Sequence, residues 1–176
     1  ASSLFHASRA VSVQLEIPLE TVVEVVRSLA PGSRFVLNPS PPRPLPQEVL
    51  AACDPLIVNE HEAKVILGDA CVSERPEDWA GLLLAKGPRS VVVTLGAEGA
   101  LVASAAEGVS RVPSVTVEAV DTTGAGDAFT AALAWRLGTG ASLAEAAAYA
   151  ARVGAAAVTK AGAQVSYPTA AEVEAL

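Results

Sequence analysis

The stretch from Asp121 to Phe129, "DTTGAGDAF", holds the residue types best suited to chemistry, and it lies between an alternating apolar run and an Ala-rich segment of helical spacing. The amides of Gly124, Ala125 and Gly126 fall at the start of that helix, where unsatisfied N–H groups and the helix dipole favour negative charge. Asp127 follows directly, in the first turn, where the same dipole favours its ionised form. A carboxylate in a cradle for resting phosphate would repel its ligand. Beside an anion hole for a phosphoryl group in transfer, it can take the proton of the attacking hydroxyl. A tight turn with Asp127 as a plain helix-capping residue is the other reading. The dinucleotide pattern G-x-G-x-x-G fails, because Phe129 stands at the third glycine position, and no G-x-x-x-x-G-K-S/T run occurs.

Weaker candidates stand elsewhere. In "NEHE", Asn59 and Glu62 are one helical turn apart after the strand-like run "PLIVN". One amide and one carboxylate suit Mg2+, which keeps much of its water shell, but the same pair also suits a helix N-cap. "TLGAEG", from Thr94 through Leu95, Gly96, Ala97 and Glu98 to Gly99, leaves a β-branched run and turns on two glycines. Alone it reads as a hairpin turn. Cys53 and Cys71 have neither metal nor redox spacing, and read as buried or half-buried thiols in a reducing compartment.

The elements that must position these residues are legible from hydrophobic period. Strands are expected at Val11–Glu16, Arg34–Asn38, Pro55–Asn59 and Ser90–Gly96, with helices between them at "LETVVEVVRSLA", Val49–Ala52, "EHEAKVILG" and Pro76–Ala85. Strands separated by helices should run parallel and bind ligands at their C-terminal ends. "GALVAS" and "GVSRVPSVTVEAV" then predict a β-meander. Three helices close the chain: one after the glycine loop, one capped by Ser142 with Glu145, and one capped by Thr169 with Glu172. The fold class is α/β, a mostly parallel sheet with helices on both faces in three layers.

Composition narrows the function. With 176 residues, 51% hydrophobic and 18% charged, the chain is a folded single domain or a piece of a larger one. A net charge of −7 without a basic cluster speaks against a nucleic-acid partner. The Ala-rich stretch 144–158 is broken by Glu145 and Arg152 and is too short to span a bilayer, and no leader segment is evident, so a soluble cytoplasmic protein without a membrane partner is expected. The chain contains no methionine, even at its start, which points to processing or to the C-terminal piece of a longer product.

"DTTGAGDAF" resembles the second signature of the ribokinase-like (PfkB) carbohydrate kinases. "VSVQLEIPLE", "VLNPSPP", "VNEHEAKVILG", "VVVTLGAEGALV" and "AVTKAGAQVSYPT" are similar to family segments in the same order. The resemblance implies an ATP-dependent sugar kinase that phosphorylates the primary hydroxyl of ribose or a related sugar. Asp127 would be its base, and Gly124, Ala125 and Gly126 its anion hole. It further implies that Asn59 and Glu62 position Mg2+ through water, and that Thr94 to Gly99 bind ATP together with Asn59, Gly126 and Asp127. Glu16 would contact the sugar. Asp121, Thr123, Ala157, Lys160, Gly162 and Ser166 would hold a monovalent cation such as K+. Ala151 falls where family members often place a residue that packs on adenine, with Tyr149 and Arg152 as neighbours able to substitute.

The departures are equally specific. No Gly-Gly dipeptide occurs, and no lid-like strands precede residue 11. The match covers roughly the C-terminal half of a family member, so residues 1–176 are expected to be one partial domain, the nucleotide-binding and catalytic half. The alternative is a non-catalytic nucleotide-binding remnant, or a half that needs a partner chain. An exposed sheet edge left by a missing half predicts self-association into a homo-oligomer.

Overall fold

A computed structural model describes residues 2–176. In chain order the elements are α1 (Ser2–Ala7), β1 (Ala10–Val13), α2 (Leu19–Arg27), β2 (Arg34–Leu37), α3 (Gln47–Ala52), β3 (Cys53–Asn59), α4 (Glu60–Leu67), α5 (Pro76–Ala85), β4 (Ser90–Thr94), β5 (Ala100–Ser104), β6 (Gly108–Val112), α6 (Ala125–Gly138), α7 (Leu143–Ala157) and α8 (Ala170–Glu174). The strands form one six-stranded sheet in sequential order. β1 to β4 are parallel and β4 to β6 antiparallel, as the switch in hydrophobic period predicts.

Each central strand is buried on both faces, and alternate residues serve different layers. Phe35, Leu37, Leu56, Val58, Val91 and Val93 pack beneath α2 to α5, around Val22, Val49, Trp79 and Leu83. Val36, Ile57, Val92 and Val102 face α6 and α7, where Phe129, Leu133, Ala146, Ala147 and Ala150 close the second core. The alanines of α7 let the two helices lie close on the sheet. The fold is the three-layer α/β arrangement expected.

Some boundaries differ from the sequence reading. β1 ends at Val13 rather than Glu16, because the Leu15 amide leaves the ladder and donates to Ser40 O (2.9 Å), turning the chain toward α2. β6 stops at Val112, which pairs with Ala100 at the very start of β5. Beyond it the alternation "PSVTVEAV" has no strand left to pair with and runs as an extended loop. The short helix α1 lacked a periodic signal. Cys53 is buried and Cys71 half-buried, both as free thiols. Burial pushes the Cys53 thiol far up, so it is inert. Among the described residues no helix is long and apolar enough to cross a membrane.

Candidate active site

The C-terminal ends of β1 to β4 and the N-terminus of α6 converge on two cavities. The larger, about 560 Å³, is lined by Asn38, Asn59, Glu62, Thr94, Gly96, Gly124 and Gly126. The smaller, about 490 Å³, is lined by Ser12, Val13, Gln14, Ala131, Ala134 and Tyr167. Asp127 and, one turn further along α6, Thr130 line both. Glycine loop, strand ends and carboxylate therefore meet where a parallel sheet binds its ligands.

The glycine loop is fixed from below by Asp121. Its Oδ1 accepts from the Thr123 amide (2.9 Å) and its Oδ2 from the Gly162 amide (2.8 Å), joining the loop to the segment after α7. The Gly162 amide first, then the Thr123 hydroxyl and amide, hold the Asp121 carboxyl down at about 2. The amides of Val120 and Asp121 both donate to Val158 O. Gly124 caps α6 with φ +77°, and a Cβ there would crowd the Tyr167 ring at 3.1 Å and Ala163 Cα at 3.3 Å. Only glycine fits both demands.

The cap decides which amides face the cleft. Ala125 N–H, expected in the anion hole, donates instead to Thr122 O (3.2 Å), closing the turn. The amides of Gly124, Gly126 and Asp127 have no acceptor among the described residues, so these N–H groups form the electropositive end of the helix. Asp127 itself is exposed, and its Oδ1 accepts from Gln14 Nε2 at 2.7 Å.

Asn59 and Glu62 realise the N-cap reading that the sequence leaves open. They form a capping box on α4: Glu62 N–H donates to Asn59 Oδ1 (2.8 Å), and Asn59 N–H donates to Glu62 Oε2 (2.9 Å). Asn38 Nδ2 adds a third bond to the same Oε2 (3.1 Å) and also donates to Ile57 O. Glu62 is only 5% exposed, and among the described residues no hydrogen bond reaches its Oε1. A carboxylate fixed at one oxygen and lining the larger cavity suits a metal that draws its remaining ligands from water and phosphate. Among the described residues no cluster of His, Cys, Asp and Glu forms an all-protein metal cage.

At the Thr94 turn, Gly96–Glu98 make a short 3₁₀ turn and Leu95 N–H closes onto Gly99 O (2.8 Å). A Cβ on Gly99 would collide with the Val112 carbonyl, so the second glycine of "TLGAEG" lets β6 lie against this turn. Thr94 and Gly96 line the larger cavity, whereas Glu98 is paired with Arg111 (3.0 Å), which also reaches Glu77. Of the remaining residues, Gly162 is brought directly to Asp121. The Ser166 hydroxyl is engaged by Ala163 O (2.6 Å), the Lys160 ammonium by Glu172, and Ala157 O by the Lys160 amide (3.5 Å). Glu16 is exposed, three positions past the end of β1, and lines neither cavity. Ala151 is buried in the core between helix and sheet. Tyr149 packs on Trp135, and Arg152 donates to the carbonyls of Val173 and Glu174.

Sequence reasoning missed Gln14, Asn38 and Thr130. Thr130 was within reach, because it follows Asp127 on the same helical face. Gln14 and Asn38 reach the site only through tertiary contacts, and nothing local marks them.

An α/β sheet whose strand ends face a glycine-capped helix, with free amides and an open carboxylate side by side, has the parts of a phosphoryl-transfer site. The sequence matches the model of the "pfkB family carbohydrate kinase" over residues 1–170, and the chain belongs to that family. It is 38% identical to a ribokinase of Schizosaccharomyces pombe over 168 residues (92% of this chain, 52% of that protein) and 39% identical to one of Bacillus subtilis over 167 residues (94% and 54%). Among solved structures, a ribokinase of Thermotoga maritima superposes with a TM-score of 0.89 at 32% identity, covering 99% of this chain and 58% of that one. Arabidopsis thaliana ribokinase, complexed with ribose and ATP, gives 0.90 at 28% identity, with 99% and 57% covered. The chain thus spans about half the length of the curated relatives it matches.

Proposed function

We propose that residues 1–176 are the nucleotide-binding and catalytic part of a ribokinase-type domain, which transfers the γ-phosphoryl group of Mg-ATP to the primary hydroxyl of ribose or a related sugar. The observation that carries this reading is the position of Asp127, the carboxylate common to both cavities and adjacent to the unpaired amides of α6. The triphosphate would lie in the larger cavity, with its terminal phosphoryl group at the Gly124, Gly126 and Asp127 amides and its other groups along Thr94 and Gly96. The acceptor hydroxyl would approach from the smaller cavity. Its O–H bond breaks with the proton passing to Asp127, the new O–P bond forms, and the bond between the γ-phosphorus and its bridging oxygen breaks to release ADP. Mg2+ would supply charge neutralisation on the phosphates, held through water by Glu62 Oε1 and Asn59. A monovalent cation such as K+ would sit at Asp121 and Thr123, acting on the loop geometry rather than on the sugar.

Ribose phosphorylation by the purified chain tests this directly. Asp127→Asn should lower turnover by about 10²- to 10⁴-fold while leaving ATP binding in place. A second reading, a nucleotide-binding half that needs a partner chain for turnover, draws on the share of its relatives that the chain spans and on Glu16 lining neither cavity. Calorimetric ATP binding without any turnover would select it.

A further inference from the structure

We propose that Gln14 is the positioning residue of the Asp127 carboxylate, pinning Oδ1 and leaving Oδ2 as the oxygen that receives the hydroxyl proton. The proposal rests on the reading of Asp127 as proton acceptor. Gln14 Nε2 lies 2.7 Å from Asp127 Oδ1, the distance of a charge-assisted bond between residues 113 positions apart. Of the two ends of a glutamine amide only the nitrogen can donate to a carboxylate, so the contact also fixes the orientation of the amide.

The backbone carrying Gln14 is anchored on both sides. Val13 O accepts from the Asn38 amide (3.1 Å), and Leu15 N–H donates to Ser40 O (2.9 Å). Arg43, in the Pro-rich loop, donates to Leu15 O and Ile17 O. Asp127, by contrast, is exposed in the first turn of α6, and no other side-chain bond to its carboxylate exists among the described residues. A short exposed carboxylate rotates between staggered wells, and only some of them aim an oxygen at a hydroxyl entering from the smaller cavity. A fixed donor on Oδ1 removes that freedom and occupies the oxygen nearer β1.

Gln14→Met keeps length and apolar bulk but removes the donor, and two measurements on the full chain read the consequence. In NMR spectra the Gln14 side-chain amide, assigned by its loss in Gln14→Met, should carry one downfield proton that moves to the position of free amides in Asp127→Ala. In the ribose phosphorylation assay, Gln14→Met should lower kcat by about 10- to 100-fold with KM for ATP within about 2-fold, as expected for a lost charge-assisted bond that acts on the chemical step. A Gln14 amide that ignores Asp127→Ala overturns the proposal, as does unchanged kcat in Gln14→Met. Absence of turnover in the unaltered chain would count against the reading of this chain as a self-sufficient kinase instead, and the amide resonance then decides whether Gln14 holds the Asp127 carboxylate.

Discussion

The two cavities on either side of Asp127 are built differently. On the side of β3 and β4 the wall is held by a hydrogen-bond network: Glu62 is nearly buried and fixed by bonds from Asn38 and Asn59, and Thr94 leaves a strand buried on both faces. On the side of β1 the wall is a short edge strand, the alanines of α6 and the exposed Tyr167, with Gln14 bonded across it to Asp127. The wall on the side of β1 is bordered by an edge of the sheet, where β1 pairs only with β2 among the described residues. On the reading proposed above, the nucleotide would meet the polar side chains held by the hydrogen-bond network and the acceptor hydroxyl would meet the wall beside the sheet edge.

Substitutions can break the networked side in graded steps. Gly124→Ala should have the largest effect, a loss of about 1–3 kcal/mol in denaturant unfolding, because it combines φ +77° with a Cβ against the Tyr167 ring. Gly126→Ala is its control: a Cβ there meets nothing within 4 Å, so the protein should keep or gain up to about 1 kcal/mol through better helix propensity. Next in size is Glu62→Ala, which strips the Asn59 amide of its acceptor and Asn38 Nδ2 of one of its two, and should cost about 1–2 kcal/mol. Glu62→Gln keeps an acceptor oxygen, so stability should hold while the Mg2+ dependence of ATP binding weakens in calorimetry.

A smaller effect is expected from acid. The Asp121 carboxyl sits at about 2 in the folded chain against 3.8 for the free side chain, so its contribution is fully present above pH 4 and fades as pH falls toward 2. The stability difference between the unaltered chain and Asp121→Asn should accordingly be constant near neutrality and shrink across that acid window. A difference that grows on acidification would contradict the clamp. On the open side, the unpaired edge of β1 predicts concentration-dependent self-association by light scattering, and a monodisperse monomer at all concentrations would speak against it.

Most of the networked side was legible in the sequence, because its signals are local. "DTTGAGDAF" declares a glycine cap and a first-turn carboxylate, and "NEHE" declares a capping box, each within a few residues. The continuous β-branched runs of β3 and β4 and the Ala-rich helices carry their own period. What stayed hidden depends on partners distant in sequence. "PSVTVEAV" alternates like a strand yet has no neighbour after Val112, and the Ala125 amide turns inward because of the left-handed cap at Gly124. The open side was the less legible for the same reason: Gln14 touches Asp127 only after the sheet and α6 have assembled.

A crystal structure of this chain with Mg2+ and a non-hydrolysable ATP analogue tests the central claim most directly. The terminal phosphate should lie within hydrogen-bond distance of the Gly124, Gly126 or Asp127 amides, with its metal water-bridged to Glu62 Oε1 and the Asp127 carboxylate turned to the smaller cavity. Phosphates bound away from the start of α6, or an Asp127 carboxylate turned away from both the terminal phosphate and the smaller cavity, would contradict it.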